Sequence, residues 1–117
     1  MTFEIQEKQN YTLVNVNAER LDTNNAPDLK SELVVLNSSG VKNIVLNLKK
    51  VTYCDSSGLR AVLVGNRLCE DAIGVFILTG LQPDVDNLIK ISMLHTVLLI
   101  TETIEQAEEL LKKKQNL

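Results

Sequence analysis

The segment 51–69 places two hydroxyls and a carboxylate at one corner. It begins as a short apolar strand, passes through Asp55, Ser56, Ser57 and Gly58, and continues as a helix with a wide apolar face. At such a corner the first backbone N–H groups of the helix lack partners, and the helix dipole favours negative charge. A phosphate on one of these serines would be tolerated by the fold and would change the surface sharply. The corner therefore favours a switchable binding module over an enzyme.

Catalytic sites of the common kinds are poorly supported by the rest of the chain. The single histidine, His95, precedes the last predicted strand, where we expect an ordinary loop or partly buried residue instead of a catalytic base. Hydrolase triads are then poorly supported, and one histidine cannot form a His-rich metal site. The sequence contains no glycine-rich phosphate-binding loop, and Ser56 does not lie in the GxSxG motif that positions a nucleophilic serine at a strand-to-helix turn. We expect no catalytic residue, no cofactor and no metal. An enzyme or nucleotide-binding domain that holds Mg²⁺ on acidic loops remains the third-ranked alternative.

Composition limits the partners and the location of the chain. Its 117 residues carry a net charge of −3, with two phenylalanines and two tyrosines, which argues against nucleic-acid binding. No apolar run approaches the roughly 18 residues of a membrane span, and no secretory signal precedes the first strand, so we expect a cytoplasmic protein without direct membrane insertion. Cys54 and Cys69 are then expected to be reduced, buried thiols.

Hydrophobic periodicity predicts one α/β domain over residues 1–117, in the order β-β-α-β-α-β-α-β-α. Alternation of strands and helices after an initial hairpin implies a mainly parallel mixed sheet with helices packed on it. The first helix is predicted to be capped by Thr23 or Asn24, with Pro27 in its first turn. The predicted strands lie at 1–17 (a hairpin turning at 8–10), 43–48, 74–79 and 97–100, and a strand-like run at 51–54 leads into the serine corner. The predicted helices begin near 24, 57, 82 and 103.

Two further features suggest a binding rim. A second acidic corner at 19–25 precedes the first helix, and parallel strands would bring it to the same end of the sheet as Ser56. The helix after Ser56 carries more apolar surface than one stripe requires, including Ala61, Val64 and Leu68. We interpret this excess as a surface for a partner.

These segments together resemble the STAS domains of anti-sigma factor antagonists. Val51 to Arg60 reads VTYCDSSGLR, similar to the family's strand that ends in Asp, Ser, Ser or Thr, Gly and Leu. Arg20 to Leu29 reads RLDTNNAPDL and is similar to the family's entry into the first helix. The strand at 44–48, the segment 74–100 and the acidic terminal helix follow in family order. One departure is Arg60, where many members have glycine.

The resemblance implies a role for each matching residue. Ser56, directly after Asp55, is the implied phosphoacceptor, with Ser57 as the alternative acceptor and the expected helix cap. The acceptor's implied neighbours are Asp22, Asn25, Asp55, Ser57 and Gly58. The expected partner-binding residues are Asp22, Thr23, Asn24, Asn25, Leu59, Arg60, Val62 and Leu63.

Partner switching is the function that the resemblance implies. The unphosphorylated protein would bind an anti-sigma factor that is also a serine kinase, and so release a sigma factor. The kinase would use ATP and Mg²⁺ to phosphorylate the acceptor, and a serine phosphatase would reset it. We expect a monomer or a weak dimer. The alternative within the family is a STAS subunit of an ABC-type membrane lipid-transport complex that binds the ATPase of that complex.

Overall fold

A computed structural model describes residues 2–115, and their elements follow the predicted alternation. Seven strands, four α-helices and one 3₁₀ turn are formed by these residues. The strands are β1 (Phe3–Glu7), β2 (Thr12–Val16), β3 (Arg20–Leu21), β4 (Ile44–Asn47), β5 (Tyr53–Cys54), β6 (Phe76–Thr79) and β7 (Leu99–Thr101). The helices are α1 (Ala26–Ser38), α2 (Ser56–Asp71), α3 (Pro83–Ile91) and α4 (Ile104–Gln115), with the 3₁₀ turn at Leu94–Thr96.

The main sheet has five strands in the order β1-β2-β4-β6-β7. β1 and β2 form the predicted antiparallel hairpin, in which Phe3 lies opposite Val16. β2, β4, β6 and β7 run parallel to one another. The predicted α/β fold with a mainly parallel mixed sheet is therefore confirmed.

Both faces of the sheet are buried, because its central strands are apolar at successive positions. Val14, Leu46 and Leu78 point into the larger core, which includes residues of α1, α2 and α3. Their chain neighbours Leu13, Val45 and Ile77 point to the opposite face, where Ala107 and Leu111 of α4 cover them. Three helices thus pack on one face and α4 packs on the other.

Two local expectations are corrected, and one small sheet is new. Asn25, rather than Thr23 or Asn24, occupies the N-cap position of α1, and Pro27 lies in the first turn as predicted. The last strand begins at Leu99 instead of Val97, because Leu94–Thr96 closes into a 3₁₀ turn after Met93, whose φ is +61°. β3 and β5 form a separate two-stranded sheet that the sequence pattern did not reveal.

The two cysteines are buried thiols, as the sequence predicts. Cys54 and Cys69 are buried and are not joined by a disulfide. None of the helices within residues 2–115 combines the length and the apolar character that spanning a bilayer requires.

Candidate functional site

The N-terminus of α2 is held by Asp55. Its backbone is extended (φ −106°), which takes it out of the helix, and its Oδ1 accepts a hydrogen bond of 3.0 Å from the N–H of Gly58. That bond satisfies one of the unpaired donors of the first turn. It also holds the pKa of Asp55 below its usual value, with smaller contributions from the Ser57 N–H and from Thr23. Asp55, and not Ser57 as expected, is therefore the cap.

The two serines of the corner have different surroundings. Ser56 is the first residue of α2 and is exposed. Ser57 follows it in the first turn and is half-buried against a groove between α1 and α2. Of the two serines, Ser56 is thus the more accessible to solvent.

A two-residue parallel ladder joins the acidic corner at 19–25 to the serine corner. Arg20 lies opposite Tyr53 and Leu21 opposite Cys54, and the N–H of Asp55 donates to the Leu21 carbonyl at 3.3 Å. The Thr23 hydroxyl then reaches the Asp55 carboxylate at 3.4 Å. The two corners lie side by side, as the sequence predicts.

Gly58 permits this close approach. A Cβ at this position would lie 2.4 Å from the Leu21 carbonyl oxygen and 2.5 Å from Cys54 Sγ. Real Cβ atoms do not tolerate such distances, so the contact between α2 and β3 requires glycine. Gly58, which we expected beside the phosphoacceptor, is therefore a packing residue, and its small size allows the two corners to lie close together.

Asp22 and Asn25 hold their own loop in place. Asp22 is 9% exposed, and its carboxylate accepts hydrogen bonds from the Asn24 N–H at 3.0 Å and from Arg20 Nε at 3.1 Å. The Asn25 side chain accepts from the Asp22 N–H at 2.9 Å and donates to the Arg20 carbonyl at 2.7 Å. Both residues lie in the predicted corner, but their polar side-chain groups form hydrogen bonds within the loop itself.

Arg20 is a site residue that the sequence-based prediction missed. Its guanidinium pairs with Asp22 and lies over the Tyr53 ring, with 4.0 Å between Cζ and the ring centroid. It therefore connects the acidic corner to the strand that precedes Ser56. No periodic signal could have revealed this contact, because each of the two strands spans only two residues.

The predicted partner-binding residues separate into exposed and buried sets. Thr23, Asn24 and Arg60 are exposed, and Leu63 is half-buried against the core. Leu59 and Val62, at 8% and 1% exposure, face the core, so the expectation that they form an outer surface is wrong. They turn inward because their stripe of α2 packs on the sheet.

The interpretation of the additional apolar residues of α2 as a partner surface also needs correction. Ala61, which we expected on a partner surface, is 3% exposed and belongs to the larger core. Leu68 is half-buried against the same core, and Val64 is half-buried beside the groove between α1 and α2. Much of the second apolar stripe is thus explained by helix–helix packing, with Val64 left at its outer edge.

The site exposes the Ser56 hydroxyl and contains neither a metal-binding cluster nor a reactive thiol among the described residues. Among residues 2–115, no group of three or more His, Cys, Asp or Glu side chains is arranged to hold a metal ion. Burial, assisted by Asp55 and Asp22, raises the pKa of the Cys54 thiol to about 12, which leaves it a poor nucleophile.

Comparison with known proteins agrees with this architecture. The STAS domain family model matches residues 2–107. The chain is 30% identical over 83 residues to "Putative anti-sigma factor antagonist BtrV" of Bordetella bronchiseptica, covering 71% of this chain and 72% of that protein.

Solved structures share the fold at lower identity. An anti-sigma factor antagonist from Mycobacterium paratuberculosis superposes with a TM-score of 0.85 at 18% identity, over 95% of this chain and 93% of the other. The Bacillus cell fate determinant SpoIIAA in its phosphorylated form superposes with a TM-score of 0.72 at 22% identity, over 92% and 96%. The family match over most of the chain, together with this shared architecture, shows that the chain belongs to the STAS domain family.

Proposed function

We propose that this chain is an anti-sigma factor antagonist whose binding to its anti-sigma factor is switched off by phosphorylation of Ser56. The observation that carries the proposal is the exposed Ser56 hydroxyl at the first position of α2, directly after the capping Asp55. The name of the Bordetella relative and the phosphorylated form of SpoIIAA support the same interpretation.

Electrostatics favours a switch that does not unfold the protein. A phosphate adds about −1.5 to −2 charges beside Asp55, which is itself a negatively charged carboxylate at neutral pH. The N-terminal end of α2 tolerates this charge, because its dipole and its unpaired N–H groups attract anions. In contrast, a partner surface that covers Ser56 would be displaced by the bulk of the phosphate or repelled by its charge. Binding can therefore change while the fold is kept.

The partner would be an anti-sigma factor that is also the serine kinase, and a separate phosphatase would restore the hydroxyl. In this scheme the chain itself supplies no catalytic group. Its contribution is a rigid corner that presents Ser56 to the kinase and a neighbouring surface that the kinase must hold.

The acceptor is tested by phosphorylation in vitro. The chain is incubated with ATP, Mg²⁺ and candidate serine kinases from the same organism, and the phosphate is mapped by mass spectrometry. We expect labelling of the native chain and of Ser57→Ala, and no labelling of Ser56→Ala. Labelling that persists in Ser56→Ala and is lost in Ser57→Ala would assign the acceptor to Ser57.

Binding is tested separately with Ser56→Asp. This variant should keep the thermal unfolding midpoint within a few degrees and lose affinity for the anti-sigma factor. Undiminished affinity would contradict the switch. Capture of a transporter ATPase instead of an anti-sigma factor from the native lysate would favour the lipid-transport alternative.

A further inference from the structure

A groove of about 430 Å³ lies between α1 and α2, beside the serine corner. Its lining is apolar apart from one hydroxyl and two cationic side chains, and it contains no carboxylate. The residues that line this α1–α2 groove are Ala26, Pro27, Lys30, Ser57, Arg60, Ala61, Leu63 and Val64.

Small residues create the depression. Ala26 of α1 and Ala61 of α2 are both 3% exposed, and their short side chains let the two helices approach without filling the space above them. Leu63 and Val64 are half-buried, and Pro27 is exposed. The surface above the two alanines is therefore apolar and open, with room for a large apolar side chain from another molecule.

Two cations flank this apolar surface. Lys30 and Arg60 are exposed, and neither forms an ion pair with any residue in the range 2–115, whose ion pairs involve Arg20, Arg67 and Lys90. The chain as a whole carries a net charge of −3, so the groove is locally basic on an acidic protein. Charge complementarity thus favours an occupant that carries anionic groups beside an apolar one.

We propose that the α1–α2 groove binds a segment of the anti-sigma factor that presents an apolar side chain flanked by carboxylates. The inference rests on the proposed function for the identity of the partner, and on the groove for the chemistry of the segment. A protein segment fits better than a free amphiphile because the groove is shallow, lies beside the serine corner, and would be covered by any partner that contacts Ser56 and Ser57 together.

The same geometry connects docking to modification. Arg60 lies four residues after Ser56, one helical turn away, where side chains on a helix meet. A phosphate on Ser56 would attract the Arg60 guanidinium, since arginine and phosphate form strong paired hydrogen bonds. It would also repel the carboxylates of the bound segment. Phosphorylation would therefore remove one cation from the docking surface and add an opposing charge beside it.

Charge reversal in the groove tests the proposal. The double variant Lys30→Glu with Arg60→Glu is compared with Lys112→Glu with Lys113→Glu on α4, across the sheet, which changes the net charge equally. Affinity for the purified anti-sigma factor is measured by calorimetry at low and physiological salt. We expect a loss of about 10-fold or more for the groove variant and less than about 2-fold for the α4 variant. Equal losses in both variants would overturn the proposal.

A second variant tests the apolar lining of the α1–α2 groove. Val64→Thr keeps the side-chain shape and places a hydroxyl in the groove, and we expect about a 5-fold loss of affinity with an unchanged unfolding midpoint. Hydrogen exchange on the anti-sigma factor then identifies the segment that becomes protected. Its acidic residues, replaced by lysine, should restore binding to the charge-reversed groove. A protected segment that is basic would contradict the proposal.

The native chain serves as the control for the proposed function. If the native chain fails to bind the anti-sigma factor, the proposed function fails and the groove proposal fails with it. If the native chain binds and the groove variants bind equally well, only the groove proposal is overturned. A fatty acid or anionic lipid retained by the purified chain in native mass spectrometry, and displaced in Val64→Thr, would assign the groove to an amphiphile instead.

Discussion

The Arg20 guanidinium lies over the Tyr53 ring, 4.0 Å from its centroid, and so connects the two corners of the candidate site. Its Nε also donates to the Asp22 carboxylate at 3.1 Å. One side chain thereby touches the acidic corner and the strand that leads to Ser56. The contact thus links residues of the two corners and does not involve Ser56.

A double-mutant cycle should measure this contact. Arg20→Gln and Tyr53→Leu should each destabilise the protein, and we expect a coupling of about 0.5–1 kcal/mol, as for an exposed cation–π pair. The free energy of unfolding is measured in urea for the four proteins of the cycle. Tyr53→Phe keeps the ring and should retain most of the coupling. Additive effects of the two substitutions would show that the stacking contributes no stability.

The cap of α2 should make stability depend on pH in the acidic range. The pKa of Asp55 is lower in the folded protein than the usual 3.8, so its stabilising effect is full above the unfolded pKa and is lost as the pH falls through the folded pKa. Asp55→Asn keeps a capping side chain without the charge. The stability difference between the native chain and this variant should therefore be larger at about pH 6 than below about pH 3.

Asp55→Ala removes the cap itself, and its destabilisation should exceed that of Asp55→Asn at neutral pH. Thermal unfolding of the three proteins across the pH series provides both comparisons. A difference between the native chain and Asp55→Asn that does not change with pH would contradict the assigned role of the ionised carboxylate.

Gly58→Ala should destabilise the fold although alanine is the better helix former. The added Cβ would meet the Leu21 carbonyl and Cys54 Sγ, and relief of that overlap would separate α2 from β3. We expect a loss of about 1–3 kcal/mol in urea unfolding. Ser56→Ala, two residues earlier and exposed, is the matched control and should lie within about 0.5 kcal/mol of the native chain. An equally stable Gly58→Ala would mean that the corner relaxes easily.

Both thiols should react slowly in the native protein. Burial raises the pKa of Cys54 and of Cys69 to about 12, so little thiolate is present at about pH 8. We expect modification by a disulfide reagent to be roughly 100-fold slower in the native chain than in denaturant. Asp55→Asn should accelerate Cys54 and leave Cys69 unchanged, because Asp55 acts only on the first thiol. Rapid native labelling of either cysteine would contradict its burial.

Much of the fold could be predicted because its signals are local. The continuous apolar runs of β4 and β6 identify strands buried on two faces, and the Asp-Ser-Ser-Gly corner identifies the start of α2. The proximity of the two corners followed from the parallel order of the strands. The first two inferences used residues that are adjacent in the chain, and the third needed only the order of the strands.

What could not be predicted depends on contacts between distant segments. The ladder of β3 and β5 has two residues a strand, too short for any periodicity. The inward direction of Leu59 and Val62, and the burial of Ala61, depend on how α1 and α2 share the sheet. Asn25 occupies the N-cap position of α1 without a capping hydrogen bond from its side chain, which is bonded instead to the backbone of Arg20 and Asp22.

The short ladder between β3 and β5 has a consequence for how fast a switch at this site would respond. The ladder, the hydrogen bonds of Asp22 and Asn25 and the tight contact at Gly58 all fix the two corners in place. If Ser56 is the acceptor, we therefore expect no loop to refold when it gains or loses a phosphate. The time between phosphorylation of Ser56 and dissociation from the anti-sigma factor would then be set by the lifetime of the phosphorylated complex alone. We expect a single exponential for dissociation of the phosphorylated chain, with no slower conformational phase.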